Sequence, residues 1–288
     1  MTSSMWLPSL LCVLAAAILH ASWNLIVKQN EDKLISAWLI VTIPCILLCP
    51  FLLLTGLPPK EAWPMLVTSG IIHACYITWL ANAYKHGDLS VIYPIARGLA
   101  PILVALAAPA LLGERLSLQA IAAIALVGGG ICFIGLSARR SSARLTSLAW
   151  AAATAVSTAA YSIVDKVGVM RANVFAYIVI LWALMSLCMT PWVFLTRSPA
   201  QVAAVWRLRR GPTIIGGLFS AAAYLLVLFA MQFTQVSYIA ALRESSVVIG
   251  AILGWRVLGE PFGVLRILAS LVVATGLVLL VLAMRGGG

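Results

Sequence analysis

Three charges stand inside stretches that are otherwise apolar: Arg97, between Pro94 and Pro101, and the adjacent pair Arg243-Glu244. If those stretches cross a bilayer, each charge at mid-helix costs about 2.5–3.5 kcal/mol on insertion scales, so it needs a partner or a task. A guanidinium offers a planar fork of donors that matches a carboxylate or a phosphate in two parallel hydrogen bonds. Pro101 has no N–H to give the carbonyl of Arg97, and Pro94 leaves that of Ser90 without its helical donor. Such an opened backbone is tolerated at membrane depth only where it faces protein or a water-filled cavity. Arg97 is therefore the leading candidate for binding an anionic group, with a helix-to-helix ion pair as the alternative. Arg243 and Glu244, being adjacent, diverge by about 100° around a helix and face different surroundings. Glu244 suits three roles: counter-ion to Arg97, partner for a substrate ammonium, or carrier of a coupling proton. Ser245 and Ser246 add hydrogen-bonding capacity beside it.

Polar residues recur at helical spacing elsewhere. Thr154, Ser157, Thr158, Tyr161 and Asp165 form one stripe. Hydrogen bonds between helices account for the hydroxyls, while Asp165 has Lys166 or a lipid headgroup as a nearby partner. His20, Trp23 and Asn24 share a face, as do His73, Tyr76 and Tyr84. A histidine in this setting is either a hydrogen-bonded interior residue or, because its side chain titrates near neutrality, a proton carrier. Tyr76, Trp79, Tyr161 and Tyr224 are candidates for the aromatic walls of a cavity, and Tyr93 joins the candidate set from the run that leads to Pro94. The six cysteines lie in apolar runs without the His, Asp or Glu neighbours of a metal site, and read as packed thiols. No metal or cofactor is expected.

The elements that must position these residues follow from composition. Of 288 residues 63% are hydrophobic and 9% charged, against roughly 25% charged in a soluble domain, and mean hydropathy is +1.07. This is a bilayer protein. Apolar runs of about 20 residues, the length of a spanning helix, can be laid out over 5–27, 34–55, 62–84, 89–112, 118–136, 145–164, 174–195, 212–233, 236–257 and 263–284. The first resembles a secretory signal but lacks a basic start, and its counterpart in the second half implies that it stays as a span. The expected fold is all-α, with about ten transmembrane helices.

The chain also repeats itself. Leu112-Gly113-Glu114-Arg115 returns as Leu258-Gly259-Glu260-Pro261, and the same offset of 146 residues carries Arg97 onto Arg243. Slightly different offsets pair Tyr76 with Tyr224 and Lys28 with Lys166. Residues 1–138 form the first five-helix repeat, 139–146 a basic loop, and 147–288 the second repeat. An odd number of spans obliges the second copy to enter from the opposite side, so the repeats are inverted and a substrate site is expected near the midplane, in a central cavity between them. The fifth and tenth helices, almost wholly apolar, are expected to face lipid.

The net charge of +11 is scattered through short loops, which fits the positive-inside bias and not a nucleic-acid footprint. Loops after odd-numbered helices hold most of it, which places that face in the cytoplasm and both termini outside. Glycine after an apolar helix is a common stop, so Gly113-Glu114 and Gly259-Glu260 read as supports of the fold, the glutamates pairing with a loop arginine or capping the following helix.

His20-Ala21-Ser22-Trp23-Asn24 closing the first helix, Ser90-Val91-Ile92-Tyr93-Pro94 opening the fourth, and Gly113-Glu114-Arg115 with its copy Gly259-Glu260-Pro261 occur in an order that resembles the EamA-type members of the drug/metabolite transporter superfamily. The resemblance spans nearly the whole chain, and bacterial exporters of amino acids, aromatic ones included, look most similar. It implies a secondary carrier of the bacterial inner membrane that exports amino acids or related zwitterions by alternating access, as a monomer or weak homodimer in the lipid bilayer. Arg97 would then take the substrate carboxylate and Glu244 its ammonium. Pro261 stands where the first copy has Arg115, and Ala240 where it has Pro94, so a role for Arg97 does not transfer to Arg243. The alternative of another class, an intramembrane protease or lipid-modifying enzyme, lacks a zincin motif, a serine elbow or clustered carboxylates.

Overall fold

The computed structural model describes residues 6–28, 32–85, 89–137, 145–258 and 264–286. They contain helices and no strands: α1 (Trp6–Lys28), α2 (Lys33–Leu48), α3 (Leu52–Thr55), α4 (Trp63–Lys85), α5 (Leu89–Leu112), α6 (Leu118–Ser137), α7 (Leu145–Val169), α8 (Val174–Thr196), α9 (Pro199–Phe233), α10 (Val236–Arg243), α11 (Ser245–Leu258) and α12 (Val264–Gly286). Helices cover all ten expected runs, and among the described residues seven are long and apolar enough to cross a membrane. Two of the runs are broken: α2 passes to α3 through a tight turn at Cys49–Phe51, and α10 passes to α11 at Glu244.

Local chemistry sets the ends. Asp32 caps α2 by accepting the N–H groups of Leu34 and Ile35, each at 3.0 Å. Asn173, at the corresponding place in the second half, does the same for α8 with Phe175 and Ala176. These side chains satisfy donors that the first helical turn leaves open. Gly113 ends α5 at φ 68°, a left-handed conformation that costs glycine nothing. Helix α9 is longer than its expected span because a capping box of Ser198 and Gln201 starts it early. It kinks at Arg209 (φ −130°), where Pro212 cannot donate to the carbonyl of Leu208. The span proper begins at Pro212 as expected, and the sequence reading missed the extra turns before it.

The inversion is visible in how like helices meet. Asp32 pairs with Arg197, the Trp38 indole donates to Thr190 Oγ1 at 3.0 Å, and the hydroxyls of Thr42 and Ser186 share a 2.7 Å bond. Moving up α2 thus means moving down α8, so the two second helices run antiparallel. The fifth helices do likewise: a Cβ at Gly130 would meet Val272 and Val273, while one at Gly276 would meet Val127. Helix α1 packs on α9 as α4 packs on α7, so each repeat's first helix interlocks with the other's third.

Helices α6 and α12 are exposed on one side and packed on the other. Their outer faces expose Ile121, Phe133, Leu271 and Leu279, while Gly128, Gly130 and Gly276 make room for packing within the chain. A Cβ at Gly98 would lie 2.6 Å from the carbonyl of Gly128, so this pair fixes how closely α5 and α6 approach. Arg97, one residue earlier and about 100° around α5, is turned toward the second repeat.

Candidate functional site

Arg97 and Glu244 meet at the centre of the bundle. Arg97 Nη2 lies 2.7 Å from Glu244 Oε1 and its Nε donates to Oε2 at 3.2 Å, a two-point pairing of residues only 4% and 2% exposed. Counter-ion to Arg97 is one of the three roles expected of Glu244, and the two side chains are paired. Glu244 occupies the break between α10 and α11, where its own N–H reaches back to the carbonyls of Ala241 and Leu242. A small cavity of about 10 Å³ adjoins the pair, lined also by Pro101, Thr158, Ser162, Ala240 and Arg243.

The polar stripe of α7 forms one wall, though its Ser and Thr hydroxyls do not donate to other helices. Thr154 donates to Trp150, Ser157 and Thr158 to Thr154, and Ser162 to Thr158, in each case to a backbone carbonyl of the same helix. This back-bonding uses up the hydroxyl protons and leaves acceptor lone pairs. Ser245 likewise donates to the carbonyl of Leu242 at 2.8 Å.

Asp165 corrects the expectation of a lysine or lipid partner. It is fully buried, accepts the Tyr177 hydroxyl at 2.8 Å, and accepts that of Tyr224 on its other oxygen. Lys166 turns away instead and donates to the carbonyls of Met231 and Thr234, at the end of α9, where a cation suits the helix dipole. Gly168 makes room for Tyr177, whose ring a Cβ there would overlap.

Above Asp165 the rings close into a cluster. His73 stacks on Tyr161 with centroids 3.9 Å apart, and Tyr76 and Tyr224 stand edge-on to Tyr161. Trp182 tilts over Tyr224 at 5.3 Å, and the guanidinium carbon of Arg243 sits 5.5 Å from the Tyr224 centroid, within cation–π range. His73 Nδ1 lies 2.9 Å from the Ser69 carbonyl and 3.1 Å from the Ser69 hydroxyl, contacts that hold the ring against Tyr161.

Of the candidate residues, Arg97 with Glu244 and His73 with Tyr76, Tyr161 and Tyr224 are thus brought together. Trp79 is half-buried on α4 and stands outside the described ring contacts. His20 stands edge-on to Trp23 at 5.0 Å, and the amide of Asn24 is spent on the carbonyl of His20 at 2.7 Å. Tyr93 lies on α5, with its side chain outside the described residues. Sequence reading passed over Tyr177, which stands near the start of α8 like an interfacial anchor. Its one available signal was that a carboxylate as deep as Asp165 requires donors.

The Gly-Glu motif is a clamp between halves. The Glu114 carboxylate accepts the N–H groups of Val236 and Ser237 and, at 2.6 Å, the Ser237 hydroxyl. It caps α10 in the other repeat, correcting the expectation of a loop arginine or the following helix. The copy at Gly259-Glu260-Pro261 lies outside the described residues.

No curated protein matches this chain. Among solved structures, one described only as the crystal structure of a protein superposes with a TM-score of 0.77 at 19% identity, over 96% of this chain and 98% of that one, and shares its fold. The EamA-like transporter family matches twice, over residues 7–136 and 145–282. With both halves matched around one buried inter-repeat centre, the chain belongs to the EamA-like transporter family and is a multi-pass membrane transporter of the drug/metabolite superfamily.

Proposed function

We propose that the protein exports amino acids or closely similar zwitterions by alternating access, with the pocket beside Arg97 and Glu244 as the substrate site. The observation that carries this reading is the ion pair itself. It joins the two repeats at membrane depth beside a second cation, Arg243, that lines the same pocket, so the site offers both signs of charge to a zwitterion. The neighbouring phenols of Tyr76, Tyr161 and Tyr224 give the substrate an aromatic wall that accepts apolar side chains with little discrimination. Ligand pockets usually enclose about 300–1,000 Å³; the cavity here is about 10 Å³, room for no more than about one water, so loading requires the helices of the two halves to separate. Family membership favours transport over the alternative of intramembrane hydrolysis. Resemblance to bacterial amino-acid exporters supports a place in the cytoplasmic membrane.

Counterflow in liposomes tests the reading. Vesicles holding the purified protein and preloaded with unlabelled amino acid should accumulate the labelled form, apolar and aromatic ones best. Absence of counterflow for every amino acid tried, with the protein folded, would overturn it.

A further inference from the structure

Among the described residues, Arg97, Asp165 and Lys166 each have polar partners at depth. Arg97 holds two oxygens of Glu244, Asp165 holds two phenols, and Lys166 holds two carbonyls. Arg243, half-buried at the end of α10, makes no hydrogen bond or ion pair among the described residues; it rests on the face of Tyr224. A cation–π contact stabilises the charge but engages none of the five N–H donors of a guanidinium. Just beyond the break at Glu244, Ser246 is 4% exposed and its Oγ has no partner among the described residues. Arg243 also lines the pocket that holds Arg97 and Glu244. An unanswered fork of donors, an idle hydroxyl and a pocket call for an acceptor carrying negative charge.

The geometry points to Arg243, and not Arg97, as the residue that takes the carboxylate of a small organic anion with an apolar or aromatic body. Arg97 is consumed by Glu244 and acts as a positioning residue that holds that carboxylate in place. When the anion arrives, Arg243 leaves the Tyr224 ring for two-point contact with the carboxylate. The vacated ring face then receives the body of the same molecule, so one motion prepares both parts of the site. This assignment rests on the pocket being the substrate site, as proposed above.

Binding measured on purified protein by tryptophan fluorescence, with Trp182 beside Tyr224 as reporter, separates the possibilities. The probes are L-phenylalanine, phenylacetate, which lacks the ammonium, and phenethylamine, which lacks the carboxylate. Arg243→Gln should weaken both carboxylates about 10- to 100-fold, the range for a lost charge-assisted contact, and phenethylamine less than about threefold. Arg243→Lys, keeping charge without the fork, should recover part of the loss and guards against a folding artefact. Arg97→Gln should weaken phenethylamine as well, because Glu244 is then misplaced. Carboxylate binding unchanged in Arg243→Gln overturns the assignment, and if counterflow of amino acids still proceeds in that variant the transport reading survives without it. Conversely, phenylacetate binding that depends on Arg243 in a protein without amino-acid counterflow upholds the assignment and removes the amino-acid reading. A wild-type protein that binds none of the three probes removes both.

Discussion

Glu114, just past the end of α5, grips Ser237 in the first turn of α10, through both the backbone N–H and the hydroxyl. A residue of one repeat thus completes a helix of the other. Helix caps contribute about 0.5–2 kcal/mol, and an anion at a helix N-terminus adds a favourable dipole interaction. Gln235, the residue at the cap position itself, offers α10 no side-chain bond. Glu114→Ala should therefore lower stability by about 1–3 kcal/mol, read as an earlier thermal transition in detergent, while substrate affinity in the molecules that remain folded stays near wild type. A large rise in KM with unchanged stability would instead place Glu114 in the substrate path.

The Arg97–Glu244 pair calls for a three-variant comparison. Removing one partner of a buried pair strands the other and costs about 3–5 kcal/mol, whereas replacing both by apolar residues of similar size is often neutral or better. Glu244→Met alone should be severely destabilised. Combined with Arg97→Met, it should regain most of the wild-type unfolding temperature and still fail to transport. A double variant that carries amino acids normally would show that the pair is scaffolding.

Gly168 and Tyr177 form a testable lock beside Asp165. Because a Cβ at Gly168 overlaps the Tyr177 ring, Gly168→Ala should cost about 1–3 kcal/mol by overpacking. Tyr177→Phe, which keeps the ring and deletes one donor to Asp165, should cost about 1–2 kcal/mol. The two changes act on one contact, so combining them should be distinctly non-additive; simple addition in thermal unfolding would show that Gly168→Ala acts elsewhere.

At the rim of the bundle, partial burial pushes the Asp32 carboxyl up, but the hydrogen bond from Arg197, the N–H groups of Ile35 and Leu34, and the Arg197 charge together hold it below its ordinary value. A carboxylate depressed in the folded state contributes stability that is fully present above its unfolded value, near pH 4, and is lost as pH falls through the lower native value. The unfolding temperature should therefore drop between about pH 4 and pH 2 by less in Asp32→Asn, which keeps the cap but cannot ionise. Identical acid profiles for the two proteins would show that the pair with Arg197 contributes nothing measurable.

What could be read without coordinates was whatever leaves a mark along the chain. Apolar runs announced the spans, and the offset between Arg97 and Arg243 was enough to bring Glu244 opposite Arg97, because so few charges compete at that depth. Helix stops such as Gly113 are local and were equally legible. Contacts between distant helices leave no periodic trace: nothing in Gly113-Glu114-Arg115 says that Val236 and Ser237 will be the recipients, and nothing near Asp165 names Tyr177 and Tyr224. The hydroxyls of α7 misled for the opposite reason, since a polar stripe looks the same whether its protons go to a neighbour or back to its own carbonyls. The early start of α9 was missed because Ala203, Val205 and Trp206 among arginines read as a basic loop.

The antiparallel seams between α2 and α8 and between α6 and α12 carry a further implication. Helices that meet their own counterparts lie where a two-fold rotation maps the molecule onto itself, so exchanging the shapes of the two halves turns an arrangement open to one side into its mirror in function, open to the other. If the halves were identical in sequence, those two arrangements would be isoenergetic and the transporter would have no preferred resting side. Any bias must then come from the positions at which the halves differ, Arg115 against Pro261 and Pro94 against Ala240 among them.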